Sequence, residues 1–363
     1  MGRQGYVFLV LGVVVIVGGY ILFGRQIIQP QTYVSHSFDE GGPGEQELHP
    51  LTIAAQRQKE YPGSEIVIEQ TLSPGSNYQR YIVSYRSEGL KIYALLTVPN
   101  GEVPLGGWPA IVFNHGYIPP AEYATGEKYV VYVDGFAREG YAVFKPDYRG
   151  HGESEGNPSG AYYSDAYITD VLNAVASIKE SQSPSTLRSN SGRAGSGRFV
   201  DPNRIGMWGH SMGGHLTLRA MVVTSDIKAG VIWAGVVGSY EDMINNWRRR
   251  IPWVPSTSER QFRRPGRQEL IDQYGIPEQN QEFWQSISPI NFVSDISGPI
   301  ALHHGTSDES VPWEFSQSLS DALVTAGKTV EYYTYPGADH NLSGGAFSQA
   351  MNRSVEFFDK YFK

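Results

Sequence analysis

Cysteine is absent from the 363 residues of the chain. That absence excludes disulfide bonds, thiolate metal sites and a cysteine nucleophile, but it does not indicate a compartment. Basic residues are also in the minority, with 29 lysines and arginines against 37 acidic residues and a net charge of −8. Because nucleic-acid binding normally needs a basic face, no nucleic-acid partner is expected. The hydrophobic content of 40% excludes general disorder and suffices for one large α/β domain or two ordinary ones.

Charge is missing from one long stretch near the N-terminus, residues 5–24. A helix over these residues would be about 30 Å long, enough to cross the hydrocarbon core of a bilayer. We expect an uncleaved membrane anchor; the alternatives are a cleaved signal peptide, for which residues 22–24 are a poor cleavage site, and a buried core helix. The positive charges on the two sides of this segment, Arg3 with the terminal amine and Arg25, are nearly equal, so they do not decide its orientation. Because a tail of four residues is most simply left in the cytoplasm, the large domain is expected outside.

Residues 25–63 are polar and glycine-containing, which predicts a flexible linker, and a folded domain is expected over residues 64–363. Apolar or alternating segments in that domain predict strands at residues 65–70, 78–85, 90–99, 110–113, 141–145, 205–208, 230–235, 299–303 and 329–334. Helical segments are predicted at residues 127–139, 165–179, 313–326 and 345–362. This alternation predicts an α/β fold with a mainly parallel sheet covered by helices on both faces.

The stretch Gly209-His210-Ser211-Met212-Gly213 matches the G-x-S-x-G pattern of a nucleophile elbow, in which a strand turns sharply into a helix and exposes one serine. The apolar run 205–208 before it suits a buried strand, and the apolar residues 216–221 suit a packed helix after it. A serine in a purely structural turn is the alternative interpretation. The flanking pattern favours Ser211 as a nucleophile.

The general base is expected after Ser211, because folds with this elbow place the partners in the order Ser, Asp or Glu, His. His340 is the candidate, since it follows a predicted strand and has an acid-bearing loop upstream. His215 lies one helical turn past the serine and is expected to face the core, while His303 and His304 end a strand before any suitable acid. A surface or capping histidine is the alternative for His340.

The acid is expected in the loop after the strand at 299–303, where Asp308 is the candidate. Glu309 is a weaker choice, and Asp339 is weaker still because it adjoins His340 in sequence. An Asx turn before Pro312 would use the same aspartate without any catalytic role.

An oxyanion hole needs two backbone N–H groups, and Met212, the residue after the nucleophile, is expected to supply one. Tyr117, in the loop after the strand at 110–113, is expected to supply the other, with Gly116 as an alternative. No metal or other cofactor is expected, because neighbouring histidines such as His303 and His304 point to opposite faces of a strand.

Four motifs resemble the prolyl oligopeptidase-like branch of the α/β hydrolases, also in their order and spacing along the chain. They are Asp201-Pro-Asn-Arg-Ile-Gly-Met-Trp-Gly-His-Ser-Met-Gly-Gly, Phe144-Lys-Pro-Asp-Tyr-Arg-Gly-His-Gly-Glu-Ser-Glu-Gly, His304-Gly-Thr-Ser-Asp and Tyr335-Pro-Gly-Ala-Asp-His. The resemblance covers about residues 80–363 and implies an acyl-enzyme serine hydrolase with Ser211, Asp308 and His340 in the family's triad positions. Only some 40 to 80 residues separate the apolar segment from the hydrolase core, too few for the β-propeller of true oligopeptidases, whose blades take about 40 to 45 residues each.

Residues 239–290 fall where such folds insert a cap over the active site. Three tryptophans there, Trp247, Trp253 and Trp284, are candidates for an apolar substrate pocket. Seven arginines between residues 248 and 267 indicate a solvated, salt-bridged cap face, or alternatively a site for a carboxylate or an anionic lipid surface.

The leading hypothesis is a membrane-anchored serine hydrolase that cleaves carboxylic esters. The first alternative is a propeller-free peptidase acting on short peptides or aminoacyl amides, and a lesser one is a non-catalytic binding protein on a hydrolase scaffold. The substrate is expected to be a small ester or a short peptide; its identity and the oligomeric state are not encoded in these patterns.

Overall fold

A computed structural model describes residues 48–181, 199–247 and 266–363. Within these ranges nine strands form one sheet. They are β1 (Val67–Leu72), β2 (Tyr78–Ser87), β3 (Leu90–Pro99), β4 (Trp108–Asn114), β5 (Ala142–Pro146), β6 (Val200–His210), β7 (Ala229–Trp233), β8 (Ile300–Gly305) and β9 (Val330–Tyr335). The strand order is β1-β2-β3-β5-β4-β6-β7-β8-β9. Strands β1, β2 and β3 pair antiparallel, β3 pairs antiparallel with β5, and every pair from β5 to β9 is parallel.

The mainly parallel sheet confirms the predicted fold class, and each predicted strand overlaps an observed one. Strands β2 and β3 form a hairpin, with Ser87 paired to Leu90. Its two turn residues, Glu88 and Gly89, have φ of 49° and 82°. Positive φ at both positions matches the twist of the adjoining strands and is typical of a two-residue hairpin.

Helices cover both faces of the sheet. In the described ranges the α-helices are α1 (Ile53–Gln58), α2 (Val130–Arg138), α3 (Ala166–Glu180), α4 (Met212–Val223), α5 (Tyr240–Asn245), α6 (Arg267–Tyr274), α7 (Gln281–Ser286), α8 (Glu314–Thr325) and α9 (Gly345–Phe362). Tyr167, Leu216 and Leu319 belong to the apolar core on one face, which is covered by α3, α4 and α8. Phe136 and Phe358 belong to the core on the other face, which is covered by α2 and α9.

Alternation along β6 supplies both cores at once. Ile205 and Met207 are buried in the core beneath α3 and α4, whereas Trp208 is buried in the opposite core and stacks on Phe113 of β4 at 4.2 Å between ring centroids. Successive strand residues point to opposite faces, so a central strand buried on both sides is apolar at nearly every position.

The carboxyl ends of the parallel strands meet at one edge of the sheet, where ligands bind in open α/β folds. The loops that leave this edge carry His115 after β4, Ser211 after β6, Asp308 after β8 and His340 after β9. Four segments distant in sequence are therefore brought together by topology.

Residues 48–58 lie within the predicted linker but fold against the rest of the domain. Leu51 and Ile53 are fully buried, and Thr52 caps α1 by accepting a hydrogen bond from the N–H of Ala55. Arg57 of α1 donates two hydrogen bonds to the carbonyl of Val222 at the end of α4. Because residues 25–63 are mostly polar, the sequence pattern did not indicate that the apolar side chains of Leu51 and Ile53 are buried. We call residues 48–58 the N-terminal strap.

Arg219 of α4 shows how closely the strap is joined to the fold. Its buried guanidinium donates to the carbonyl of Leu51 (2.9 Å) and to Oε1 of Gln56 (3.1 Å), both on the strap. It also donates to the carbonyl of Ile287 (2.6 Å) and the hydroxyl of Tyr240 (3.2 Å), both within the predicted cap at residues 239–290. The strap, α4 and the cap helices are therefore joined by one cation.

The predicted anchor at residues 5–24 and the linker up to residue 47 lie outside the described residues. In residues 48–181, 199–247 and 266–363 no helix has the length and apolar character needed to cross a membrane.

We predict that a chain beginning at residue 60 is much less stable than one beginning at residue 48. The shorter chain loses two buried side chains, worth about 1.5–3 kcal/mol each, and leaves the buried Arg219 without two acceptors, which adds about 1–3 kcal/mol. A loss of about 4 kcal/mol or more would lower Tm by roughly 10 °C. Thermal unfolding of the two chains measures the difference, and equal Tm values would contradict a structural role for the strap.

Candidate active site

Ser211 stands at a sharp turn between β6 and α4. Its φ is 56° and its ψ is −116°, a region that residues with a side chain rarely occupy. The turn is fixed by hydrogen bonds: the N–H of Ser211 donates to the carbonyl of Trp233, and the carbonyl of Ser211 accepts from the N–H groups of Gly214 and Val236. A strained residue held by its surroundings in this way is typical of functional sites, and the geometry is that of a nucleophile elbow.

The two glycines of the elbow allow strand and helix to approach closely. A Cβ atom on Gly209 would lie 2.2 Å from the carbonyl oxygen of Gly213, and one on Gly213 would lie 1.9 Å from the carbonyl oxygen of Asn114 on β4. No side chain fits at either distance. The G-x-S-x-G spacing is therefore a steric requirement of this turn.

His340 and Asp308 lie against each other beside the elbow. Nδ1 of His340 is 2.7 Å from Oδ2 of Asp308, whose side chain is fully buried. Since an ionised carboxylate only accepts, Nδ1 carries the proton, which leaves the lone pair of a neutral ring on Nε2. The ring of His340 is 4.7 Å from that of His210, the residue before Ser211, and its side chain is 19% exposed. The structure thus places the predicted base and the predicted acid in contact, beside the residue that precedes Ser211.

The carboxylate of Asp308 is hydrogen-bonded at both oxygens. Oδ1 accepts from the backbone N–H groups of Ser310 and Val311, and Oδ2 accepts from His304 Nε2 at 3.1 Å as well as from His340. Burial alone would raise the pKa of Asp308, but the hydrogen bonds from His304, His340 and Val311 outweigh it and hold that pKa below its usual range. The Asx-type turn considered from the sequence is present, and the same carboxylate also binds His340.

His304 is a supporting residue that the sequence analysis did not find. It lies buried at the end of β8, where Nε2 reaches Asp308 and Nδ1 lies 2.7 Å from Oγ of Ser316. His303, one residue earlier, points to the opposite face and contacts the hydroxyl of Tyr335 at 2.8 Å. Alternation along β8 could have indicated that one of these two histidines faces the acid loop.

The loop after β4 approaches the elbow at Gly116 and contains one of the two expected oxyanion donors. The N–H of Gly116 donates to the hydroxyl of Tyr129 at 2.9 Å, so the alternative donor considered from the sequence is already engaged. Tyr117 is the next residue of the loop, and Met212 begins α4 directly after Ser211. His115 fixes the start of the loop, because its ring stacks between Tyr123 and Tyr148 at 4.6 and 4.3 Å.

A buried polar cluster holds the far end of this loop. Asp147, which follows β5, accepts hydrogen bonds from the hydroxyls of Tyr123 and Thr125, and Lys145 donates to the hydroxyl of Tyr123 at 2.8 Å. Burial raises the pKa of Asp147 above its usual range and lowers that of Lys145 below its usual range. The loop is thus tied to the sheet by groups that have no access to solvent.

The three candidate pocket tryptophans have different positions. Trp247 donates from Nε1 to the carbonyl of Ser310 in the Asp308 loop (2.8 Å), and its ring lies 5.6 Å from that of Tyr162. Trp284, by contrast, is part of a small core between the cap helices and not of a pocket beside the elbow. It is 2% exposed, donates to the carbonyl of Gly275 and packs with Tyr240. Trp253 lies outside the described residues, as do the arginines from 248 to 264.

No group of three histidine or acidic side chains in the described ranges is arranged to hold a metal ion. His303 and His304 lie on opposite faces of β8 and contact different partners.

Comparisons with known proteins give matches to hydrolases. The model of the prolyl oligopeptidase family matches residues 193–363, and the model of the X-Pro dipeptidyl-peptidase (S15) family matches residues 88–260. The uncharacterized peptidase YtmA of Bacillus subtilis is 26% identical over 74% of this chain and 88% of its own. The putative esterase YitV of the same organism is 23% identical over 70% of this chain and 89% of its own.

A solved structure, the puromycin-hydrolyzing peptidase of Mycobacterium tuberculosis, superimposes with a TM-score of 0.57 at 20% identity. The match covers 80% of this chain but only 40% of that protein. The chain likewise spans about a third of another curated relative, the peptidase YuxL of B. subtilis.

The sheet topology, the elbow and these matches define the class of the protein, which is a serine hydrolase with the α/β-hydrolase fold. Within that fold the chain is similar to the prolyl oligopeptidase family over residues 193–363 and to the X-Pro dipeptidyl-peptidase family over residues 88–260.

We predict that Gly213→Ala both destabilises the protein and abolishes activity. The new methyl group would meet the Asn114 carbonyl, which is backbone and cannot rotate away, so α4 must move off β4 and carry Ser211 with it. Overpacking of this kind costs about 1–3 kcal/mol. Gly160→Ala is the matched control, since nothing lies within 4 Å of a Cβ there. Tm and labelling by a fluorophosphonate test both effects, and full labelling of Gly213→Ala would contradict the steric argument.

Proposed function

We propose that the protein hydrolyses carboxylic esters through an acyl-enzyme intermediate, with Ser211 as nucleophile, His340 as general base and Asp308 as the acid that orients it. The contact that carries this proposal is the 2.7 Å hydrogen bond between His340 Nδ1 and Asp308 Oδ2, formed beside the elbow. It leaves Nε2 of His340 as the basic nitrogen, which is the atom that must take the proton from a serine hydroxyl.

In the first half-reaction Ser211 Oγ attacks the ester carbonyl while its proton moves to His340 Nε2. Asp308 stabilises the resulting imidazolium and stays ionised, because its hydrogen bonds hold its pKa low. The backbone N–H groups of Met212 and Tyr117 are proposed to bind the oxyanion, and loss of one such donor typically costs about 100-fold to 1,000-fold in rate. Collapse of the tetrahedral intermediate breaks the bond to the alcohol, which leaves with the proton from His340.

In the second half-reaction water attacks the acyl group on Ser211. His340 takes the proton of the water, the same donors bind the second oxyanion, and collapse releases the carboxylic acid while the proton returns to Ser211 Oγ. The balance is one ester and one water consumed, one alcohol and one acid formed.

Ester cleavage is preferred over amide cleavage for two reasons. An ester carbonyl is more reactive toward a serine hydroxyl than an amide carbonyl, which is stabilised by resonance with its nitrogen, so peptide cleavage depends more on residues that bind and orient the chain. One relative that this chain nearly spans is the putative esterase YitV. The other, YtmA, is called a peptidase, which keeps the peptidase hypothesis as the alternative.

An aromatic wall near Asp308 supports an apolar acyl group. Trp247 is bonded to the Asp308 loop, and its ring lies near those of Tyr162 (5.6 Å) and Phe315 (6.4 Å). Tyr162 in turn contacts His215, one helical turn beyond Ser211. We propose Trp247 as part of the substrate pocket, together with Trp253 from the sequence pattern.

We predict that Ser211→Ala abolishes turnover of short p-nitrophenyl esters while Tm is nearly unchanged, because the hydroxyl acts in the reaction and not in packing. Ser294→Ala, an exposed serine, is the matched control. Aminoacyl p-nitroanilides are assayed beside the esters. Ester turnover without amide turnover supports an esterase, turnover of both supports the peptidase alternative, and a wild-type protein that neither turns over esters nor reacts with a fluorophosphonate would be a binding protein.

The location of the enzyme is a separate proposal, supported by the uncharged residues 5–24 alone. We propose a single N-terminal anchor with the catalytic domain outside the cytoplasm. The full chain is expected to sediment with membranes and to resist extraction by carbonate, whereas a chain beginning at residue 48 is expected in the soluble fraction. A full chain that is released as a shortened soluble form would instead support a cleaved signal peptide.

A further inference from the structure

His210, the residue before the nucleophile, is engaged on both sides of its ring. Nδ1 lies 2.7 Å from the hydroxyl of Tyr129, and Nε2 lies 3.0 Å from the backbone carbonyl of His340. The side chain is 2% exposed. Tyr129 precedes α2 and its hydroxyl also accepts from the N–H of Gly116. Three loops therefore meet at one imidazole: the loop after β4, the elbow and the loop after β9.

The direction of each hydrogen bond follows from the partners. A carbonyl oxygen only accepts, so Nε2 of His210 carries the proton and donates to His340. Nδ1 of a neutral ring is then an acceptor, and the Tyr129 hydroxyl must donate to it. Burial raises the pKa of Tyr129, so the phenol keeps the proton that it donates. The chain runs from Gly116 N–H to Tyr129 Oη–H to His210 Nδ1, and from His210 Nε2–H to the carbonyl of His340.

His210 is suited to a fixed role because it stays neutral. Burial, and then the nearby His340, lower the pKa of His210 to about 3, so neither bond is lost by protonation near neutral pH. A charged ring would donate at both nitrogens and could not accept from Tyr129.

The close approach at Gly116 is a second, independent sign that the loops are held in register. A Cβ atom on Gly116 would lie 2.6 Å from the Tyr129 hydroxyl and 3.1 Å from Nδ1 of His210. Only glycine lets the backbone next to Tyr117 reach these groups. Tyr129 itself has φ 60° and ψ 25°, a left-handed conformation uncommon for an aromatic residue.

From this geometry we infer that His210 and Tyr129 are positioning residues, which hold the oxyanion loop at Gly116 and the base loop at His340 in register with Ser211. This inference rests on the proposed function, since it concerns the alignment of that triad and its oxyanion donors. Neither side chain enters a bond-making step. A misplacement of about 1 Å at a reacting group can cost about 100-fold in rate, so the chain has a measurable effect on turnover.

The test begins with Tyr129→Phe, which keeps the ring and removes only the hydroxyl. We expect kcat for a p-nitrophenyl ester to fall at least about tenfold while KM changes less than about twofold, because the substrate contacts remain and the transition-state alignment does not. Tyr141→Phe is the matched control: Tyr141 is also buried and donates its hydroxyl to Asp359 at 2.6 Å, away from the elbow. Its kcat is expected to stay within about twofold of wild type.

A second measurement separates positioning from a general loss of folding. Inhibition by a trifluoromethyl ketone, which forms a tetrahedral adduct on serine, is compared with binding of the matching methyl ketone. Tyr129→Phe should weaken the tetrahedral analogue by about the same factor as kcat/KM and leave the methyl ketone unaffected. A partly unfolded variant would lose both to the same extent.

Variants of His210 test the whole set of hydrogen bonds from Gly116 through Tyr129 and His210 to His340. His210→Asn can still accept from Tyr129, and His210→Gln can still donate to the carbonyl of His340, so each is expected to retain more activity than His210→Ala. Adding Tyr129→Phe to His210→Ala should cost little more than His210→Ala alone, because both changes break one chain. If His210→Ala does not fold, the Tyr129→Phe and His210→Asn data decide.

The two proposals fail in different ways. Absence of ester turnover and of fluorophosphonate labelling in the wild-type protein would overturn the proposed function. Normal wild-type turnover combined with a Tyr129→Phe kcat within twofold of wild type would overturn the positioning role, as would strictly additive effects of Tyr129→Phe and His210→Ala.

Discussion

The hydrogen bond between His340 and Asp308 is the interaction on which the site depends. It joins the loops after β8 and β9 across 32 residues of sequence, and it fixes which nitrogen of the imidazole is basic. His304, His340 and two backbone N–H groups hold the pKa of Asp308 low, so the carboxylate stays ionised although it is buried. The site also depends on the parallel sheet, because the loops after β8 and β9 and the elbow all lie at the same edge of it.

Much of this arrangement could be predicted from the sequence, because its determinants are local. The strand at 110–113 and the run at 205–208 were apolar enough to be found, and they lie inside β4 and β6. The steric rule that puts glycine two residues either side of Ser211 acts within five residues, so it is visible as a pattern. The order of acid and base after the nucleophile then left Asp308 and His340 as candidates, and the structure places them in contact.

The features that escaped prediction depend on contacts between distant segments. Nothing in the immediate neighbourhood of Leu51 shows that its carbonyl meets Arg219, 168 residues away. A tryptophan in the predicted cap is typical of a substrate pocket, but the contacts of Trp284 with other cap helices make it a core residue. The hydrogen bonds of His210 could not be predicted either. His210 stands at a variable position of the G-x-S-x-G motif, and its partners come from two other loops.

The docking of the N-terminal strap has a consequence for the helix that follows Ser211. Arg219 lies on the helix that begins directly after Ser211, and its guanidinium holds the carbonyl of Leu51 and the side chain of Gln56. Residues 48–58 precede β1 in the chain, so the first segment that the structure describes is joined directly to the helix that follows Ser211. A change in the strap therefore acts on the support of the elbow as well as on the stability of the fold.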